Sequence, residues 1–200
     1  MRNLSIAAFL FAITIVHIGC SGKKTDLGEY YFEKGDYENA VKEYNKVLAI
    51  KPRSIEIIYN RGRAYEELGE ESKAIADFES VLYLEPDHIQ AHLSRGNICY
   101  KNKDFENAFF QFNEVVKKFP QSSEGLMFRG KASFKLGDTG EALQDYNDAI
   151  RVNPQNGRAY YYRGALNVYS KRRKSACKDF RKAEELGVEE AEAAIKKYCK

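Results

Sequence analysis

The side chains here that could do chemistry are few, and most of them recur at a fixed step. His88 and His92 are four apart, a spacing that puts two imidazoles on one helix face, yet Ile89-Gln90-Ala91 between them offers no Glu to act as base in a hydrolytic zinc site. The pair also straddles a helix start, so loop and groove histidines are the simpler reading, and no metal or other cofactor is implied. Arg61, Arg95, Arg129 and Arg163 follow one another at a step of 34 residues, as do Glu43, Asp77, Gln111, Asp145 and Asp179. A half-buried guanidinium needs a partner. Two readings stay open: a structural ladder in which each Arg pairs with an acid on its own or the preceding unit, or a row of anion-binding groups. Lys171-Arg172-Arg173-Lys174 is the densest charge run. It reads as a solvated turn, with contact to an acidic partner or anionic lipid as the other option. No nucleophile elbow, phosphate loop or nucleotide fingerprint occurs, so an enzyme is disfavoured and no small-molecule substrate is evident.

The elements that must carry these residues share the same step. All four prolines keep it: Pro52, Pro86, Pro120 and Pro154. So do the glycines Gly28, Gly62, Gly96, Gly130 and Gly164, the alanines Ala40, Ala74, Ala108, Ala142 and Ala176, and the aromatics Tyr44, Phe78, Phe112, Tyr146 and Phe180. Five units result, at about 21–54, 55–88, 89–122, 123–156 and 157–188, and Val188 stands where the next proline would be. Within a unit, apolar residues recur at three and four, as in Ala74, Ile75, Phe78, Val81 and Leu82, which predicts amphipathic helices. Turns fall at Lys34-Gly35-Asp36, Leu68-Gly69-Glu70, Asn102-Lys103-Asp104 and Leu136-Gly137-Asp138, where Gly suits a left-handed C-cap and Asp an N-cap. Proline then ends the second helix of each unit. Small residues at the eighth and twentieth positions let paired helices approach, and the aromatic at the twenty-fourth fills the space beyond. Residues 189–200 read as one more amphipathic helix, a solvating cap for the array.

Cys177 lies ten residues before Gly187 and Cys199 twelve after it. At the rise of an α-helix they sit about 15 and 18 Å from that bend, at similar depths of an antiparallel hairpin. In an oxidising compartment this predicts a Cys177–Cys199 disulfide, worth on the order of 3 kcal/mol; two reduced, packed cysteines are the alternative. Cys99 reads as an inert core residue.

This pattern over residues 25–188 resembles the tetratricopeptide repeat, although the family's usual Trp at the fourth position is absent throughout and its usual Leu at the seventh is Arg in four copies. The resemblance implies an all-α fold: an α-solenoid, a right-handed superhelix of five helical hairpins with a C-terminal capping helix. It also implies a concave surface lined by first helices. Carried over position by position, that surface holds Tyr59, Arg63 and Glu66; Leu93, Asn97 and Tyr100; Met127, Lys131 and Phe134; and Arg158, Tyr161 and Tyr169. Rings, Met and a few donors suit an extended peptide or a partner helix. The competing reading leaves several of these rings partly buried between neighbouring helices. The Lys, Asn, Asn, Lys, Arg set with which chaperone-binding members clamp a C-terminal carboxylate is supplied by no three consecutive units.

The start of the chain differs from the rest. Arg2 precedes a mostly apolar stretch from Leu4 to Ile18, too short for a membrane span and ending in Gly19-Cys20-Ser21-Gly22. Residues 1–19 read as a secretory signal, and the small residue before Cys20 resembles a bacterial lipobox, although His17 departs from it. That resemblance implies lipidation of Cys20, a short tether over 20–24, and a location in the cell envelope, lipid-anchored to a membrane and facing the periplasm. An ordinary signal peptide that happens to contain a Cys is the other reading. The net charge of +3, with 32 basic and 29 acidic residues interspersed, gives no field of the kind nucleic-acid binders carry. The expected function is a membrane-anchored adaptor or scaffold for a protein or peptide partner, with a docking part of an envelope transport or secretion system as the alternative.

Overall fold

A computed structural model describes residues 27–200. The segment 1–19 expected to act as a signal, the expected lipidation site Cys20 and the expected tether 20–24 lie outside the described residues. Among the described residues there are eleven helices and no strand: α1 (Leu27–Glu33), α2 (Tyr37–Ile50), α3 (Ile55–Glu67), α4 (Glu71–Leu84), α5 (Ile89–Lys101), α6 (Phe105–Lys118), α7 (Ser123–Leu136), α8 (Thr139–Val152), α9 (Gly157–Tyr169), α10 (Arg173–Glu185) and α11 (Glu190–Tyr198). Consecutive helices pack in pairs as five hairpins, each hairpin stacks on the next, and α11 lies on α10 as the cap.

Local chemistry sets the boundaries. The Asp36, Asp104 and Asp138 carboxylates accept from the backbone N–H three residues on, capping α2, α6 and α8. The four helices α2, α4, α6 and α8 each stop two residues before a proline. The turns inside hairpins need a left-handed residue, and Gly35, Gly69 and Gly137 supply it at φ 75°, 73° and 92°. Lysine takes that role in the third and fifth hairpins, Lys103 at φ 62° and Lys171 at φ 58°, where a side chain is strained.

The hairpin core forms because glycine and ring meet directly. A Cβ added at Gly62, Gly96 or Gly164 would lie 2.8, 2.5 and 2.7 Å from the Cε1 of Phe78, Phe112 and Phe180. The aromatic therefore occupies the space over the glycine itself, while Ala40, Ala74, Ala108, Ala142 and Ala176 are fully buried beside it. Two ring pairs extend the contact between units. Phe112 stacks on Phe128 with centroids 5.2 Å apart, and Tyr146 on Tyr162 at 6.2 Å. At the far end Cys177 and Cys199 are bonded, with Cα atoms 5.5 Å apart, which ties α11 down across Phe180 and Tyr198.

Candidate functional site

The arginine row proves to be internal scaffolding. Arg61, Arg129 and Arg163 each hold the aspartate of their own unit with two bonds: to Asp77 at 2.8 and 2.6 Å, to Asp145 at 2.9 and 2.7 Å, and to Asp179 at 3.0 and 2.6 Å. Each also donates back to the preceding unit, reaching Asn45, Asn113 and Asn147 at 2.7, 2.9 and 2.8 Å. Those acceptors were not anticipated from sequence, although Asn45, Glu79, Asn113 and Asn147 keep the 34-residue step. Where Gln111 replaces the aspartate, Arg95 pairs with Glu79 at 2.7 Å and Gln111 turns to His92 at 2.8 Å. Asp77 and Asp145 hold the guanidinium pKa of Arg61 and Arg129 above its ordinary value. Three donor atoms so engaged leave these groups committed to the fold.

The other reactive side chains are also accounted for. His88 accepts from the Ala91 N–H and packs on Tyr59, and the second ring nitrogen of His92 meets the Pro86 carbonyl at 2.9 Å. The Cys99 thiol is half-buried, and burial pushes its pKa up.

The inner surface is where donors remain. Successive first helices α5, α7 and α9 touch one another, so they form the tighter side of the stack. Arg63 lies over Phe32 at 5.6 Å, Glu66 accepts from Lys101 at 3.2 Å, and the Tyr59 hydroxyl meets Ser94 at 3.4 Å. These three bind neighbouring helices together. Leu93 and Met127, expected on the open face, are each 3 % exposed and belong to the core, because the fifth position of a unit points between hairpins rather than out of them. Tyr161 is half-buried against Phe180 at 5.7 Å and packs beneath α11.

A cluster remains on α5, α7 and α9. The Lys131 ammonium sits 4.6, 5.1 and 4.8 Å from the ring centroids of Tyr100, Phe128 and Tyr162. It has no carboxylate within ion-pair distance among the described residues. Burial, with Arg158 and Lys135 nearby, lowers its pKa to about 8, while the ring faces favour the cation. Exposed Arg158 and half-buried Asn97 complete a set of donors, and Phe134 meets Tyr169 edge to face at 5.4 Å at its border. Phe128 and Tyr162 were missed by position-wise transfer, although aromatic residues 34 apart were visible in the sequence. Chemically, this is a cationic, aromatic-walled patch that fits an anionic or carbonyl-rich group and a flat or apolar neighbour.

An all-helical stack with a donor-bearing inner face defines a class of interaction modules. Models described as TPR repeat and tetratricopeptide repeat match residues 28–69 with 130–169, and 55–88. The chain belongs to the tetratricopeptide repeat family. Among solved structures it is similar to MamA residues 41-end from Desulfovibrio magneticus RS-1, at 23% identity and TM-score 0.71, covering 80% of this chain and 90% of that one. It is similar also to PilW, described as a widely conserved type IV pilus biogenesis factor, at 20% identity and TM-score 0.72 over 81% of this chain and 75% of that one. A third, YrrB, described as a TPR protein with an unusual peptide-binding site, shares 20% identity at TM-score 0.65 over 84% and 88%. At these identities the likeness is one of fold. No curated protein matches the chain.

Proposed function

We propose that this protein is a membrane-tethered adaptor of the bacterial cell envelope, holding a segment of a partner protein against the inner surface of α5, α7 and α9. The observation that carries the reading is the Lys131 cluster: Asn97, Lys131 and Arg158 bring polar donors to one stretch of half-open aromatic surface, and no ion pair or hydrogen bond to them occurs among the described residues. Such donors favour a segment that brings a carboxylate or backbone carbonyls, with an apolar side chain to lie on Tyr100 or Tyr162. The alternative role, docking within an envelope transport or secretion system, uses the same surface.

Capture from detergent-solubilised envelopes tests the proposal. A partner retained by the full chain and lost from Lys131→Glu, with unchanged far-ultraviolet dichroism, supports groove binding; retention by the variant at equal strength rejects it. The identity of the captured proteins separates assembly factors from transport components. The tether is tested separately, since Cys20→Ala should abolish incorporation of labelled palmitate and release the chain from membranes. Unchanged processing and membrane association would remove the anchor from the proposal.

A further inference from the structure

Charge is segregated along the array although the whole chain is nearly neutral. Residues 55–88 contain nine Asp and Glu against three Lys and Arg, and residues 157–188 contain three against nine. The segregation is sharpest on one edge. Because helices alternate in direction, every turn inside a hairpin falls on the same side of the stack. Cross-links between units confirm that this edge is continuous: Lys101 reaches Glu66 at 3.2 Å, Asn102 donates to Glu71 at 2.8 Å, Lys135 lies over Phe105 at 6.0 Å, and Phe134 meets Tyr169 at 5.4 Å.

Along that edge the second hairpin presents Glu66, Glu67, Glu70 and Glu71, an excess of carboxylates that Lys73 on Glu70 at 2.6 Å and Lys101 on Glu66 at 3.2 Å offset only in part. The fifth presents Lys171, Arg172, Arg173 and Lys174 with no carboxylate among residues 168–175. The two hairpins between them carry near-balanced charge and expose Leu136 at 42%, and Tyr169 of the fifth hairpin, 68% exposed, borders them before the basic turn begins. Acidic end, apolar middle and basic end lie in that order on one side of one molecule.

We infer that this edge is a self-complementary interface, at which two copies of the chain pair antiparallel about a two-fold axis. The rotation sets the acidic second-hairpin turn of each copy against the basic fifth-hairpin turn of the other. The axis then falls between the third and fourth hairpins, so the apolar centres meet. A second copy fits because both signs reside on the same chain at equal and opposite distances from the middle; such an isologous contact closes at two subunits. Three hairpin steps at helix-packing spacing span about 30 Å, enough for a contact of ordinary interface size. Within one copy the two turns are too far apart to neutralise each other, being separated by several Debye lengths at physiological salt. Arg173 is partly committed already, since its guanidinium donates to the Tyr198 carbonyl at 2.6 Å and to the Lys200 carbonyl. Lys171, Arg172 and Lys174 are exposed and remain for a partner.

The experiment is a charge swap read by sedimentation velocity on the full chain in mild detergent. Variant X carries Glu67→Lys and Glu70→Lys, and variant Y carries Arg172→Glu and Lys174→Glu; dichroism checks that each is folded. Wild type is expected to dimerise at low salt and to dissociate as salt rises. Alone, X and Y should each associate about a hundredfold more weakly or worse, since like charges now face each other at both ends. Mixed in equal amounts, they should recover the dimer, because X then meets Y with opposite charge at both ends. A wild type that stays monomeric at low salt overturns the inference, as does a dimer that X and Y leave intact. Particles that grow beyond two copies with concentration would mean head-to-tail chaining and overturn the two-fold arrangement. If the monomer instead sediments with phosphatidylglycerol vesicles, and Y does not, the basic turn is a lipid contact and the pairing is wrong.

Discussion

Lys131 shows how one residue's surroundings set its chemistry. Its stem is buried between α5 and α9, its ammonium faces three rings, and the charges nearest to it are Arg158 and Lys135. The folded pKa of about 8 lies below the ordinary 10.5, so folding favours loss of the proton. Below pH 8 both folded and unfolded chains hold it and the full penalty applies. Between about 8 and 10.5 the unfolded chain binds more protons than the folded one, and stability rises with pH. Lys131→Met has no such term. The expected outcome is that wild type gains stability on the variant between pH 7 and 9.5, measured as the difference between their urea midpoints at each pH. A constant difference would show that the ammonium is solvated. The same depression makes Lys131 an easy group for an incoming carboxylate to recharge, so partner binding near pH 8 should take up a proton.

At the scale of the helix and the turn, stability depends on where side chains are absent. At Gly96 an added Cβ would lie 2.5 Å from Phe112, which is fully buried and stacked on Phe128, so the ring has little room to retreat. Gly96→Ala should therefore cost about 1–3 kcal/mol, despite alanine's better helix propensity. Adding Phe112→Leu should recover part of that loss in a double-mutant cycle, whereas simple additivity would place the strain elsewhere. The turns give the opposite sign. Lys103 adopts φ 62° where three of its four sister turns have glycine and the fourth has Lys171. Lys103→Gly should stabilise by about 1 kcal/mol, read from urea unfolding, because the left-handed penalty exceeds the entropic cost of glycine. These elements were legible in the sequence because packing at 34-residue intervals imposes residue types: Gly, Ala, ring and Pro each mark one contact. The ladder was half legible. Arg–Asp pairing follows from charge, but the second acceptor, Asn at the twenty-fifth position, carries no charge and shows its role only once the preceding helix is in place. The inner-face residues were the least legible, since Leu93, Met127 and Tyr161 occupy the same unit position as Tyr59, and only the rotation of the helix decides whether that position opens to solvent.

The whole molecule behaves as a row of nearest neighbours, because each hairpin touches little beyond the ones beside it. Its local stability should follow what each junction contains. The junctions of the second, fourth and fifth hairpins with the ones before carry a guanidinium bridging Asp and Asn, and those of the fourth and fifth also carry a stacked ring pair. The first hairpin has Leu27 at the seventh position in place of Arg, so its described part lacks the Arg–Asp tie of the second, fourth and fifth units, and only the seven residues of α1 are described against α2. The opposite end is held by Cys177–Cys199, which closes a separation of 22 residues and should contribute about 3 kcal/mol. Native-state hydrogen exchange should then be fastest in α1 and α2 and slowest in α7 to α9, with α11 protected while the disulfide is intact. Reduction, or Cys199→Ser, should raise exchange in α11 and the end of α10 by about a hundredfold and leave α3 to α6 unchanged. If exchange rose evenly through all five hairpins instead, the array would be unfolding as one unit, and cooperativity across its junctions would exceed what nearest-neighbour contact provides.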